Sequence, residues 1–371
     1  MTRPANAIDM WRGFALVTIF INHVPGMVYA RWTFSSYSIA DSADLFVFLA
    51  GWSLRYVVGT DARRNPTRYV VMRLAARSFT IYVAQVFITA LAIAMLAFAA
   101  IILDNPLLLE WHNAASVFFD PVPTHLGLVL ITHQLGYFDI LPLYVVLMLF
   151  APLIAIIDRY TPWLLLPLSL TIYVLALTFQ INPPTWPVEG AWFFNPLAWQ
   201  FIFVLGFVIA RKDGVIGEFL RRNISVLRII GLVVIAVGLY FSLADKLPDP
   251  TTVPRPRLFF IADKTYITPI RLFQFLALVA VFSAVYRYIE PFVPRLVGFF
   301  ALLGRNSLPV FCVGSLLALA GQIIRFVWQG YFSVDTIVVI LGVAVMALTA
   351  WLNEWRDRAA QWKKRQQSPA G

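Results

Sequence analysis

The sequence has little charge and almost no cysteine. Asp, Glu, Lys and Arg make up only 13% of its 371 residues and hydrophobic residues make up 60%, whereas about 25% of the residues of a soluble domain are charged. The single cysteine, Cys312, excludes a disulfide or a paired-thiol redox site within the chain. A Walker loop, G-x-G-x-x-G, H-E-x-x-H and G-x-S-x-G are all missing. Nucleotide hydrolysis, dinucleotide chemistry, zincin chemistry and a serine-hydrolase elbow therefore lack support.

The chain is instead rich in long apolar runs. Ten of them approach the roughly 20 residues that an α-helix needs to cross the hydrocarbon core. We therefore predict an all-α, polytopic integral membrane protein, with about ten transmembrane helices in a single membrane domain over residues 1–371. The predicted spans are residues 9–30, 43–59, 79–103, 138–157, 162–180, 193–210, 226–243, 268–286, 308–327 and 334–352, and a basic tail follows at 353–371. No cleavable signal peptide is expected, since the first apolar run begins almost at once and has no small-residue cleavage site.

The basic residues predict the orientation, because short cytoplasmic loops carry an excess of Lys and Arg. Such clusters follow span two (Arg63, Arg64, Arg68, Arg73, Arg77) and span six (Arg211, Lys212, Arg221, Arg222), and another lies in the tail. Both termini are therefore expected in the cytoplasm. The net charge of +10 comes from such clusters between spans, so we expect the lipid bilayer as a partner and no nucleic acid.

One predicted outer loop departs from this pattern. Between spans seven and eight lie Lys246, Arg255, Arg257, Lys264 and Arg271. A loop of this length tolerates positive charge without any function, because the rule applies to short loops. The alternative interpretation is a site for an anionic group.

The first span carries three ionisable residues, Asp9, Arg12 and His23. Ionisable groups inside a membrane are costly, so each is a candidate functional residue. Arg12 and His23 are eleven positions apart, which is close to three helical turns and about 16 Å along the axis. Arg binds phosphate oxygens, and a neutral imidazole can accept a proton near pH 7. The simpler alternatives are a snorkelling arginine, an interhelical histidine and an acid that suits the helix dipole.

Several other polar residues lie at or inside the ends of predicted spans. Asp44 at the start of span two is our preferred partner for His23, since a carboxylate would fix the imidazole tautomer; a helix N-terminal acid is the alternative. The remaining candidates for lining a cavity, which could equally form interhelical hydrogen bonds, are Asp139, Asn195, Arg305 and Asn306. The histidines lack a metal-ligand spacing, so no metal site is predicted.

Five segments, taken in order, resemble the OpgC family of osmoregulated periplasmic glucan succinyltransferases, which is related to the membrane acyltransferase-3 group. They are DMWRGFALVTIFINH, SADLFVFLAGWS, FDILPLYVVLM, FNPLAWQFIFVLG and LLGRNSLPVF. The hallmark of that wider group is an Arg and a His separated by ten residues on the first span, and Arg12 and His23 match it. The resemblance runs from about residue 9 to the last span.

This resemblance implies an acyltransferase-3-like enzyme of about ten spans in the bacterial inner membrane. It would move an acyl group, in this family succinyl from succinyl-CoA, to hydroxyls of periplasmic glucans. Succinyl-CoA is then a co-substrate, and no permanently bound cofactor is expected. By carry-over, His23 is the general base and Arg12 serves the acyl-CoA, and we expect Arg73 and Arg77 to help bind its phosphates.

Two points stay open at this stage. We hypothesise that Lys264 and Arg271 hold the terminal carboxylate of a succinyl group. The strongest competing function is a secondary transporter, since an intramembrane Asp, Arg and His can form a proton relay or a solute site. A noncatalytic partner in glycan export is a third interpretation.

Overall fold

The computed structural model describes residues 6–61, 66–211, 214–244 and 246–367. Within those ranges the chain forms helices and no strand, apart from one isolated bridge between Pro184 and Ala191. The all-α prediction is therefore confirmed. Arg63, Arg64 and Lys212, which belong to the predicted cytoplasmic clusters, lie outside the described residues.

The α-helices of the described residues divide between two compact units. Residues 1–33 and 284–371 form the first unit, and residues 34–283 form the second. In chain order the helices are α1 (Ala7–Asn22), α2 (Ser42–Asp61), α3 (Thr67–Ile102), α4 (Ala115–Phe119), α5 (Pro121–Val129), α6 (Ile140–Tyr160), α7 (Pro162–Phe179), α8 (Pro196–Ile209), α9 (Val215–Arg222), α10 (Ile224–Leu243), α11 (Pro269–Phe282), α12 (Val285–Ile289), α13 (Pro294–Arg305), α14 (Ser307–Trp328) and α15 (Phe332–Gln367). Short 3-10 helices occupy Val28–Trp32, Phe34–Ser36, Pro106–Asn113 and Arg257–Phe259.

Seven helical segments among the described residues are long and apolar enough to cross a membrane. They are α3, α6, α7, α10, Pro269–Ile289, α14 and Phe332–Ala360. The protein is therefore a multi-pass membrane protein. The other predicted spans correspond to α1, α2 and α8, of which α1 has 16 residues and α8 has 14. The count of ten spans stays a prediction.

The first predicted span differs from the helix that forms there. We predicted a helix over residues 9–30, but α1 ends at Asn22. Pro25 has no backbone N–H to continue the helical ladder, and Gly26 adopts a φ of +75°, which lies in the left-handed region. The chain turns there and continues as the 3-10 helix Val28–Trp32. His23 is therefore the residue that follows the last turn of α1 rather than a residue in mid-helix.

In the first unit, α1 packs against α13 and α14, and α14 packs against α15. The helix α13 was not predicted. Val297, Ala301 and Gly304 are buried on it at helical spacing. A Cβ at Gly304 would lie 1.9 Å from the Asp9 carbonyl oxygen, so only glycine permits this approach of the backbones.

In the second unit, α2 packs on α8, α3 on α6, and α10 on α11. Large aromatic side chains fill its interior, and Phe48, Trp199, Phe203 and Phe207 are among its fully buried side chains. The helix α8 is buried along most of its length. A helix that is apolar on every side is expected in the middle of a bundle, which is where α8 lies within this unit.

Candidate functional site

The first unit contains the Asp, Arg and His of the predicted first span. Asp9 is buried in the first turn of α1. Its backbone N–H donates to the Asn6 side-chain oxygen at 2.9 Å, and the Asn6 amide nitrogen donates to Asp9 Oδ2 at 2.7 Å. This reciprocal arrangement is that of a helix N-cap, and a carboxylate there also suits the helix dipole. These contacts of Asp9 match the simpler alternative of a helix-capping acid.

Arg12 and His23 lie toward opposite ends of α1, and both side chains are half-buried. His23 is the C-cap residue, and its backbone N–H donates to the Ile19 carbonyl at 2.9 Å. Its own carbonyl accepts a hydrogen bond of 2.5 Å from Gln322 Nε2 on α14. The His23 backbone is thus fixed from both sides, and its imidazole lies at the edge of the helix end.

An arginine and an aspartate that the sequence analysis did not single out hold the segment after His23. Arg325, near the end of α14, pairs through Nε with Asp335 Oδ1 at 2.7 Å. Asp335 lies in the first turn of α15 and is fully buried. The Arg325 guanidinium also donates to the carbonyls of Pro25 and Gly26, and Asp335 Oδ2 accepts from the Val28 N–H at 2.8 Å. Both residues fall inside predicted spans, which is the signal that could have found them.

Arg305 and Asn306 were predicted to line a cavity, and in the structure both contact α15. Arg305 Nε donates to Glu354 Oε1 at 2.9 Å, and the Asn306 side-chain oxygen accepts from Asn353 at 2.7 Å. Asn306 also donates to the Leu302 carbonyl at 2.9 Å. These contacts connect the junction of α13 and α14 to residues 353 and 354 of α15. A role for either residue toward a substrate stays a prediction.

The second unit contains a cluster of four charged residues where α2 meets α11, namely Asp41, Asp44, Lys264 and Arg271. Arg271 Nη2 lies 2.6 Å from Asp44 Oδ2, and Arg271 Nε lies 3.1 Å from Asp44 Oδ1. The Asp44 side chain is 0% exposed and that of Arg271 is 7% exposed. Asp44 also accepts from the Asp41 N–H at 2.7 Å. Asp44 and Arg271 therefore form a buried, bidentate ion pair.

Lys264 completes the charge balance of this cluster. Its Nζ lies 2.6 Å from Asp41 Oδ2 and within 6 Å of the ring centroids of Phe193 and Phe194. Burial alone would raise the pKa of Asp41, but the charges of Lys264 and Arg271 outweigh it and hold that pKa well below its usual value. Two cations and two carboxylates thus neutralise each other, and Asp139, just before α6, lies within electrostatic reach of Lys264.

The remaining predicted residues of the second unit are capping or surface residues. Asn195 is fully buried; its side chain accepts from the Leu197 N–H at 3.0 Å and donates to the Ile181 carbonyl at 2.7 Å, which makes it the N-cap of α8. Arg73 and Arg77 lie exposed near the start of α3.

Asp44 and His23 belong to different units, so the prediction that Asp44 orients His23 stays a prediction. In the described part of the chain, no three His, Cys, Asp or Glu side chains form a possible metal site.

Comparison with known proteins agrees with the resemblance carried by the five ordered segments. No curated protein is significantly similar to the chain. The sequence model of the family described as OpgC protein matches residues 5–358. That match includes Arg12 and His23, six of the seven apolar segments in full and the seventh up to residue 358. It indicates a transferase with a role in modifying osmoregulated periplasmic glucans. The chain belongs to the OpgC protein family.

Proposed function

We propose that the protein is a transmembrane O-acyltransferase that moves a succinyl group from cytoplasmic succinyl-CoA to hydroxyl groups of periplasmic glucans. The observation that carries the proposal is the position of His23, whose half-buried imidazole follows the last turn of α1 on a backbone fixed at both its N–H and its carbonyl. Arg12 lies on the same helix, about 16 Å away along the axis. A base and an anion-binding group at that separation suit a long, extended acyl donor.

The reaction needs one base and one leaving group. Neutral His23 takes the proton of a sugar hydroxyl, and the hydroxyl oxygen attacks the carbonyl carbon of the thioester. The carbon–sulfur bond breaks, the acyl group stays on the sugar oxygen as an ester, and the CoA thiolate leaves and takes the proton from the imidazolium. Imidazole is the side chain best suited to this step, because its neutral form can accept a proton near pH 7.

Arg12, Arg73 and Arg77 are the proposed partners of the CoA phosphates. Guanidinium groups bind phosphate oxygens through paired, charge-assisted hydrogen bonds. Arg73 and Arg77 lie one turn apart on α3 and are exposed, as a binding surface for a soluble donor requires. In this arrangement the thioester arrives from the cytoplasm, both termini face the cytoplasm, and the glucan approaches from the periplasm of a bacterial inner membrane.

In this proposal the buried Asp44–Arg271 ion pair of the second unit has a structural role and does not bind the substrate. Arg271 donates to Asp44, Asp41 and the Ile39 carbonyl, so binding a succinyl carboxylate there would require breaking these contacts. We therefore assign Arg271 to ordering the start of α2. Lys264 is 31% exposed, and it is the only one of the two cations that we retain as a partner for the carboxylate of the acyl group.

The test is mass spectrometry of periplasmic glucans from cells that express the protein or its His23→Ala variant. Loss of a general base lowers the rate by about 100-fold or more, so the acylated glucan should disappear while the protein stays in the membrane. His125→Ala is the matched control, since His125 is exposed on α5. The mass increment in the wild type identifies the acyl group. Acylation at the normal level in His23→Ala would refute the proposal, and solute transport without any acyl product would favour the transporter.

A further inference from the structure

We propose that Gln322, Arg325 and Asp335 are positioning residues for His23. They act by holding the backbone of residues 23–28, which we name the His23 turn. The inference rests on the proposed catalytic role of His23. It concerns side chains of α14 and α15 that the chemistry above does not use.

The contacts converge on one short stretch of backbone. Gln322 donates to the His23 carbonyl at 2.5 Å. Arg325 Nη2 donates to the Gly26 carbonyl at 2.8 Å, and Nη1 donates to the Pro25 carbonyl. Asp335 Oδ2 accepts from the Val28 N–H at 2.8 Å. Four backbone polar groups within six residues therefore have their partners on α14 and α15.

The need for these partners follows from the end of α1. The carbonyls of His23, Pro25 and Gly26 lie beyond Asn22, the last residue of α1, so the hydrogen-bond ladder of that helix does not extend to them. Pro25 and the left-handed Gly26 stop the ladder that would otherwise have satisfied them. Arg325 supplies the donors from a rigid, planar group that can reach two successive carbonyls at once.

The positive charge of Arg325 is paired with the carboxylate of Asp335 beside the His23 turn. Asp335 is fully buried and lies 2.7 Å from Arg325 Nε. The two residues are ten positions apart, and the turn at Gln329 and Gly330 brings the end of α14 back to the start of α15. A buried pair of this kind contributes little net stability compared with an apolar pair of similar volume. Its contacts with the His23 turn indicate that it serves to fix the geometry of that turn.

A base must lie within hydrogen-bond reach of the proton that it removes, and an error of 1 Å can cost about 100-fold in rate. Loosening the His23 turn should therefore lower kcat and leave KM for the acyl donor unchanged, because Arg12 lies near the other end of α1. It should also alter the chemical reactivity of the His23 imidazole itself, whatever reaction the protein performs.

The experiment uses purified full-length protein in detergent and four variants. Arg325→Gln and Asp335→Asn each break the pair, Arg325→Met/Asp335→Leu replaces both charges with apolar groups, and Gln322→Leu removes a single hydrogen bond. Arg287→Gln is the control for loss of a positive charge, since Arg287 is exposed in the same unit. The rate of His23 modification by diethyl pyrocarbonate is followed by peptide mass spectrometry over a range of pH, and kcat and KM are measured for both substrates.

We expect the double variant to unfold near the wild-type temperature, yet to modify His23 at least threefold faster and to lose about 10-fold or more in kcat at unchanged KM. Gln322→Leu should also speed His23 modification and lower kcat, each by a smaller factor. If either single charge variant fails to fold, Gln322→Leu and the double variant provide the test. Wild-type modification rates and kcat in the folded double variant and in Gln322→Leu would overturn the inference. If His23→Ala keeps full activity while these variants still change His23 reactivity, the catalytic assignment fails and the holding of the turn stands.

Discussion

Removing Arg271 should destabilise the second unit more than any surface change of the same charge. In Arg271→Met, Asp44 keeps only the hydrogen bond from the Asp41 N–H and lies in an interior where its side chain is 0% exposed. Breaking a buried pair by removing one partner costs about 3–5 kcal/mol, because the remaining charge has no counterpart. The Ile39 carbonyl loses its donor as well.

This magnitude converts into a measurable shift of the unfolding temperature. The second unit comprises residues 34–283, and for a domain of that size each kcal/mol corresponds to roughly 2–4 °C. Arg271→Met should therefore lower the midpoint in detergent by roughly 6–20 °C. The double variant Asp44→Asn/Arg271→Met removes the orphaned charge, so we expect it to recover at least half of the loss.

The assay is thermal unfolding of purified protein, followed by loss of the monodisperse peak in size-exclusion chromatography. Arg257→Gln is the matched control, because Arg257 lies exposed in the same unit on the 3-10 helix Arg257–Phe259, and surface substitutions usually stay within about 0.5 kcal/mol. A double variant that is less stable than Arg271→Met would contradict the argument that an unpaired Asp44 causes the loss. Equal shifts for Arg271→Met and Arg257→Gln would show that the pair contributes nothing specific.

Two further predictions concern α13 and the loop before α6. A methyl group at Gly304 would lie 1.9 Å from a backbone oxygen of α1, so Gly304→Ala should reduce the yield of folded protein severalfold; Gly298→Ala, on the same helix with no heavy atom within 4 Å of its added Cβ, should leave the yield unchanged or raise it. Burial lowers the pKa of His133 below its usual value, against a smaller opposing effect of its bond to the Asn113 carbonyl. The unfolded chain then binds a proton that the folded protein resists, so stability should fall as pH drops below about 6.5. The unfolding midpoint of His133→Gln should fall less between pH 7.5 and pH 5 than that of the wild type, and equal slopes would contradict the assignment.

Much of the fold could be predicted from hydropathy, because a bilayer imposes a length on every helix that crosses it. Each of the ten predicted spans overlaps a helix of the structure. The boundaries were least accurate at α3, which begins at Thr67 and not at residue 79, and at α15, which continues to Gln367 and not to residue 352, because both helices extend into polar, basic sequence that hydropathy does not detect. At α1 the predicted helix was too long, because Pro25 and Gly26 change the backbone. The helix α13 was missed because its 12 residues are amphipathic and too few to span the bilayer.

Some residues of the site could be found from the sequence, and others are revealed only by the structure. Arg12 and His23 could be found because they are ionisable groups in an apolar run at helical spacing. Arg325 and Asp335 could have been found by the same rule, but their pairing depends on the turn that joins α14 to α15. Asp44 and Arg271 are 227 positions apart, so only the packing of α2 and α11 in three dimensions reveals that each is the partner of the other.

The contact of Gly304 with the Asp9 carbonyl has a mechanical consequence for α1. Side chains at a helix interface can change rotamer and let the helices slide, whereas two backbones in direct contact leave no such freedom. The first turns of α1 and the end of α13 must therefore move as one rigid body. The His23 imidazole is therefore carried by a helix that cannot slide along α13, and its place at the end of that helix is set by the contacts of the His23 turn with Gln322, Arg325 and Asp335.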